Sequence, residues 1–173
     1  MSLVEKAARA YQDRYGHPPP IAAEAPGRVN LIGEHVDYND GVVMPMAIDK
    51  HIVVCLGASP DSTFRLATGS EGLTRSEFTE VAPGEPFWSN YVRGVIAGFE
   101  ARGIKVAPFQ AWIEADLPIG SGLSSSAALE VAVATALEAY CGHEVSTSAR
   151  ARAGGYPVFT HGNLNRSGPG EDL

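Results

Sequence analysis

Apolar residues recur every three or four positions at the start of the chain, which is the spacing that buries one face of an α-helix. One such row consists of Leu3, Ala7 and Tyr11. Ser2 and Glu5 have the spacing of a capping box, in which each side chain binds a free backbone N–H of the first turn. Gly16 and the prolines at positions 18–20 then end the helix. The pattern therefore predicts an opening helix that packs on the core and carries no chemistry.

Short apolar or alternating runs, separated by Gly and Pro, follow the opening helix and are typical of β-strands. Strands are predicted at residues 48–56, 63–67, 77–81 and 109–115, and shorter apolar segments lie at 21–25 and 28–32. Helical stripes return at residues 91–99, before Gly103, and at residues 124–140. Because strands and helices do not alternate strictly, the pattern favours the α+β class over a doubly wound sheet.

Composition narrows the class of protein. The 173 residues are 45% apolar and 19% charged, which is enough to build one packed core. A net charge of −7 disfavours nucleic-acid binding, and no run of about 18 apolar residues predicts a membrane span. Charges occupy the N-terminal stretch where a signal peptide needs apolar residues, so we expect a cytoplasmic protein. Cys55 and Cys141 lack metal-ligand spacing, and Cys55 is expected in the core.

A Gly- and Ser-rich turn, LPIGSGLSSS at residues 117–126, lies between a predicted strand and a predicted helix. Glycines let the backbone approach a ligand closely, and the first turn of the next helix exposes free N–H groups at its positive dipole end. Phosphate suits such a place, and serine hydroxyls can donate to it or ligate a hard cation. The turn lacks the Lys of a Walker A loop. Two interpretations remain open here, a phosphate site and a Ser-capped helix after a tight turn.

A second polar segment, PGRVNLIGEHVDYNDG, covers residues 26–41. Its polar members are Arg28, Asn30, Glu34, His35, Asp37, Asn39 and Asp40. Carboxylates accept hydrogen bonds from sugar hydroxyls, so the segment is a candidate site for a polar ligand. A solvated acidic turn and a cation site are the alternatives, although one His with two carboxylates is poor evidence for zinc.

Two tryptophans could be read as ligand-stacking groups. Trp88 begins the stretch WSNYVRG at the start of a predicted helix, and Trp112 lies on a half-exposed strand. An aromatic anchor for the helix explains Trp88 at least as well as base stacking, and we expect Trp112 to serve in packing.

Together these segments resemble the GHMP small-molecule kinases, and in particular the galactokinases. PGRVNLIGEHVDYNDGVVMPMAI is similar to the galactokinase signature, LPIGSGLSSSAALE to the shared GHMP phosphate loop, and WSNYVRGV to a further galactokinase stretch, in the family's order and spacing. The resemblance covers residues 1–145 and implies the N-terminal lobe of the GHMP kinase fold, which is like domain 2 of ribosomal protein S5. Residues 146–173 are expected to be a non-homologous, irregular tail, with the second lobe missing.

The resemblance also implies roles for individual residues. Galactose hydroxyls would be bound by Glu34, His35 and Asp37, with backbone contacts from Val36. The ATP phosphates would be wrapped by Gly120, Ser121, Gly122, Leu123, Ser124, Ser125 and Ser126. Ser126 would ligate Mg²⁺, and Arg28 resembles the catalytic arginine that neutralises the transferring phosphoryl group. The reaction implied moves the γ-phosphoryl of ATP to galactose and gives galactose 1-phosphate; we expect a monomer.

The chain also departs from the family pattern. The helix carrying a Mg²⁺-ligating Glu, the Gly-x-x-Asp segment with the catalytic aspartate, and the Gly-rich motif of the second lobe are not recognisable after residue 145. Without a base for the sugar hydroxyl, little or no turnover is expected from this chain alone. The alternatives are a catalytically silent sensor of galactose or ATP and a non-functional fragment.

Overall fold

A computed structural model describes residues 1–32, 44–69, 75–117 and 124–143. Three helices and five strands lie in these stretches. In chain order they are α1 (Leu3–Tyr15), β1 (Ile21–Asn30), β2 (Pro45–Ala58), β3 (Phe64–Thr68), β4 (Ser76–Phe78), α2 (Ser89–Ala101), β5 (Phe109–Ala115) and α3 (Ser125–Cys141). None of the helices in these stretches is both long and apolar enough to cross a bilayer.

The opening helix has the ends that the sequence predicts. The Ser2 hydroxyl accepts from the backbone N–H of Glu5 at 3.2 Å, and the Ser2 N–H donates to the Glu5 carboxylate at 2.7 Å, which completes the capping box. Gly16 ends the helix at a φ of 84°, a conformation that glycine adopts without strain. Ala7 and Tyr11 are fully buried.

One mixed sheet separates two apolar clusters. Its strand order is β1-β2-β5-β3-β4, with β3 parallel to β5 and the other neighbours antiparallel. Alternate residues of β2 face opposite sides, so Val53 and Cys55 pack under α1 while Ile52, Val54 and Leu56 join α2 and α3 in the larger core. Helices and mainly antiparallel strands in this arrangement confirm the α+β class.

Two strands differ from the sequence prediction, β1 in its continuity and β4 in its length. β1 runs through Pro26 without a break, because it is the edge strand of the sheet and needs no donor on its open side; the register shifts between Pro26 and Arg28. β4 ends at Phe78, so the predicted strand over residues 77–81 is wrong beyond that point. In the segment that follows β4, the carbonyl of Ala82 accepts a hydrogen bond from the Arg93 guanidinium at 2.9 Å.

Candidate functional site

The strand register places the ends of β1 and β5 at the same end of the sheet. Both strands run antiparallel to β2, so they run parallel to each other. Ile52 of β2 pairs with Ala115, where β5 finishes, and on its other side with Ala25, from which β1 continues to Asn30. The last part of β1, including Arg28, therefore extends beyond the end of β5.

Helix α3 begins at this same end. Near its last turn, the Tyr140 hydroxyl donates to the carbonyl of Pro108 at 3.1 Å, and the Tyr140 ring lies edge-on to Phe109, the first residue of β5. The C-terminal end of α3 thus lies at the start of β5, and the helix runs back along the strand. A 17-residue helix spans about 25 Å, so its first turn reaches the end of the sheet at which β5 finishes. Helix α3 packs on β1 and β2. Arg28 and the first turn of α3, called the mouth of α3 below, therefore lie at the same end of the sheet.

The Arg28 side chain has a hydrogen-bond donor without a partner in the described part of the chain. The side chain is half-buried, and its Nε is buried with no hydrogen-bond partner in the described part of the chain. A buried donor left unpaired is unfavourable, since it has lost its water without gaining another acceptor. An anionic ligand at this end of the sheet would satisfy it.

The first turn of α3 is not capped by the side chain of the serine that precedes it. Ser124 takes the N-cap position with a φ of 57° and a ψ of 41°, the left-handed conformation, and its side chain makes no capping hydrogen bond to the first turn. The interpretation of a Ser-capped helix is therefore wrong. A non-glycine residue in this conformation is strained, and such strain is concentrated at ligand-binding sites. The half-buried Ser124, Ser125 and Ser126 flank N–H groups at the positive end of the helix dipole.

Glu130, one turn further along α3 than Ser126, is a buried charged residue that is not among the predicted site residues. Its side chain is only 4% exposed, and burial raises its pKa from the usual 4.5 to about 7. Burial is the only cause of this shift, so no residue within the described stretches supports the carboxylate by a hydrogen bond or an opposite charge. A Glu inside the apolar run ALEVAVA was the signal in the sequence.

The remaining predicted site residues lie outside the residues that the structure describes. Those assigned to the sugar are Glu34, His35, Val36 and Asp37, and those assigned to the phosphates are Gly120, Ser121, Gly122 and Leu123. The residues that flank the first segment are joined at the far end of β1. The Met44 N–H donates to the Ile32 carbonyl at 3.0 Å, and the Leu31 N–H donates to the Met44 carbonyl at 2.9 Å.

Other candidates prove to be structural. Trp88 packs against the larger core at the start of α2, and Trp112 packs beside α1 with its indole N–H donating to Glu114 at 3.1 Å. Burial raises the pKa of the Cys55 thiol to about 11, which leaves it an inert core residue as expected. Within the four described stretches, no three His, Cys, Asp or Glu residues converge as a metal cage would require.

Two family signatures match this chain. The galactokinase galactose-binding signature matches residues 9–58, which include Arg28, and the N-terminal domain of the GHMP kinases matches residues 90–157, which include α3. Arg28 and the first turn of α3, which lie at one end of the sheet, thus belong to two separate signatures.

Known proteins and structures agree with these signatures. The chain is 40% identical over 159 residues to the galactokinase of Homo sapiens, with 87% of this chain and 40% of the human protein covered. The Lactococcus lactis galactokinase, solved with galactose, superposes with a TM-score of 0.76 at 29% identity over 88% of this chain and 41% of that one. The mevalonate kinase of Methanococcus jannaschii, at 20% identity and a TM-score of 0.64, shares the fold. The chain spans about 40% of the length of the curated relatives it matches.

Proposed function

Because this chain belongs to the galactokinase family, as the N-terminal portion of a GHMP kinase, we propose that it binds galactose and the phosphates of ATP at the shared end of β1 and α3. The observation that carries the proposal is that the unpaired Arg28 Nε and the uncapped first turn of α3 lie at this one end. Both groups attract anions, and the nucleotide's triphosphate is the anion that the family's substrates supply.

The proposed chemistry is transfer of the γ-phosphoryl group of ATP to the anomeric hydroxyl of galactose. Such transfers depend on positioning and on stabilisation of charge more than on covalent help from the protein. The first turn of α3 would hold the phosphates through its N–H groups and the hydroxyls of Ser124 and Ser125. Arg28 would donate to the transferring phosphoryl group and stabilise the charge that develops there. Glu34, His35 and Asp37 would hold the sugar hydroxyls, with Val36 contributing its backbone.

The residues present also fit the divalent cation that such a kinase uses. Mg²⁺ prefers oxygen ligands, and the first turn of α3 offers the half-buried hydroxyl of Ser126. When bound, Mg²⁺ would neutralise phosphate charge and orient the nucleotide. We assign binding to residues 1–145 and no role to residues 146–173. The proposed site of action is the cytoplasm, where ATP is available.

Binding of the two ligands should be separable by mutation. Asp37→Ala should weaken galactose binding by more than about tenfold and spare ATP, because it removes an acceptor for the sugar hydroxyls. Ser126→Ala should weaken Mg–ATP and spare galactose. Isothermal titration calorimetry on the two variants measures both affinities. Unchanged galactose affinity in Asp37→Ala, or the reverse pattern in the pair, would refute the assignment.

Turnover by this chain alone should be close to background. The base that accepts the sugar proton belongs to a family segment without a recognisable counterpart here, so binding alone does not complete the reaction. A coupled assay of ADP release with galactose, ATP and Mg²⁺ measures the rate. Robust turnover would contradict this expectation. Binding of both ligands without turnover is the behaviour of the alternative function, a catalytically silent sensor of galactose or ATP.

A further inference from the structure

Four apolar side chains form one face where the ladder of β1 and β2 extends beyond β5. Val29 pairs with Met46 in the strand register, and the Leu31 N–H donates to the Met44 carbonyl at 2.9 Å. Cross-strand partners, and residues two apart along a strand, lie on one face of a sheet, so these side chains are neighbours. Leu31 and Met44 are each 57% exposed, and Met46 is 47% exposed. This methionine face therefore holds two thioether sulfurs in contact with solvent.

The two thiols of the chain are shielded, in contrast to these thioethers. Cys55 is fully buried, and burial raises the pKa of its thiol to about 11. Cys141 is half-buried, and burial raises the pKa of its thiol as well. Oxidants attack the thiolate, which neither cysteine forms readily at neutral pH. A thioether has no proton to lose, so exposure decides how fast it reacts, and the methionine face should be oxidised before either thiol.

We propose that Met44 and Met46 form a site of reversible oxidation by peroxides. A lone pair of the sulfur attacks one peroxide oxygen, so that an S–O bond forms while the O–O bond breaks. The sulfur is oxidised by two electrons to the sulfoxide, and hydrogen peroxide is reduced to water. Sulfoxide reductases reverse the step with two thiols, which become a disulfide while the oxygen leaves as water. The inference is independent of the proposed function, because it involves neither galactose nor ATP.

Oxidation at this site would change the polarity of the surface and leave the fold in place. A sulfoxide is polar, whereas the thioether is apolar. The Met44 backbone is held by hydrogen bonds to Leu31 and Ile32, which do not involve its side chain. Because the side chains of Met44 and Met46 are largely exposed, little core packing depends on them. The methionine face would thus become polar in the presence of oxidant and apolar again after reduction.

Tryptic peptide mapping tests this site, because cleavage after Lys and Arg separates the sulfur residues. Met44 and Met46 fall in the peptide of residues 29–50, Met1 in 1–6, Cys55 in 51–65 and Cys141 in 106–150. The full chain is treated with dilute hydrogen peroxide, folded or in urea, and then digested. Residues 29–50 should gain two oxygen atoms at rates within about threefold of those in urea, while Cys55 should be protected by more than about tenfold. Oxidation of either cysteine before residues 29–50, or equally strong protection of both methionines, would overturn the proposal.

The double variant Met44→Leu, Met46→Leu is the matched control, since leucine keeps the apolar volume without the sulfur. After peroxide, the unmodified chain should elute earlier from a hydrophobic-interaction column and return to its first position after treatment with a sulfoxide reductase. The double variant, which retains Met1, should shift less. Equal shifts of the two proteins would overturn the change of polarity. Urea midpoints of the oxidised and untreated chain should coincide, and a large loss confined to the oxidised unmodified chain would contradict the exposure of this face.

Discussion

Replacing Glu130 by Gln should raise the free energy of unfolding at pH 8 by about 3 kcal/mol in metal-free buffer, and should change it little at pH 4. In the folded chain, burial raises the pKa of Glu130 from 4.5 to about 7. Between these values the folded state binds the proton more tightly than the unfolded state does. Stability contributed by this proton is therefore present below about pH 4.5 and is lost as the pH rises toward 7.

Urea unfolding of the two proteins at several values between pH 4 and pH 8 measures this difference. The unmodified chain should lose stability relative to Glu130→Gln across that window, since the amide cannot ionise. Glu100→Gln, at an exposed position of α2, should follow the unmodified chain. Parallel curves for Glu130→Gln and the unmodified chain would show that the Glu130 carboxyl is not buried as described.

Phe109→Ala should lower the free energy of unfolding by about 3–5 kcal/mol, the range for a large aromatic side chain removed from a core. Phe109 is 1% exposed, and its ring lies edge-on to Phe64 of β3 at 5.2 Å and to Tyr140 of α3 at 6.1 Å between ring centroids. It therefore joins the sheet to the helix whose first turn forms the proposed site. Loss of the ring leaves a cavity that backbone movement fills only in part.

Phe87→Ala is the matched control, because the same atoms are removed from a residue that is 39% exposed. Its expected loss is smaller, about 1 kcal/mol, because the ring is partly exposed even though it lies edge-on to Tyr91 at 5.9 Å. Equal losses in the two variants, measured by denaturant unfolding at one pH, would contradict the position of Phe109 between β3 and α3.

Local signals in the sequence were sufficient for some elements and not for others. The opening helix follows from Ser2, Glu5 and Gly16, which act within one turn of the helix ends. β4 ends at Phe78, and carbonyls of the segment after it accept from Arg93 of a later helix, a contact that local alternation does not reveal. The parallel pairing of β3 with β5 could not be predicted, since it joins segments more than 40 residues apart whose alternation fits several neighbours.

The candidate site, too, could be predicted from the sequence only in part. Arg28 and the serines of the α3 mouth were identified from their sequence segments, because those segments resemble known motifs. The left-handed conformation of Ser124 and the burial of Glu130 were not, because both depend on how α3 packs against β1 and β2. A Glu within an apolar helical run is compatible with a solvated face until the neighbouring strands are known.

Backbone hydrogen bonds join Met44 to Leu31 and Ile32, so the described residues on the two sides of the polar segment are fixed to each other. A connection whose ends are already fixed can change length at little entropic expense, about 0.6 kcal/mol for each doubling. Residues between these two positions could therefore be exchanged for a sequence of different length or polarity while β1 and β2 stay paired. If this segment binds the acceptor sugar as proposed, its selectivity would evolve independently of the framework that holds Arg28.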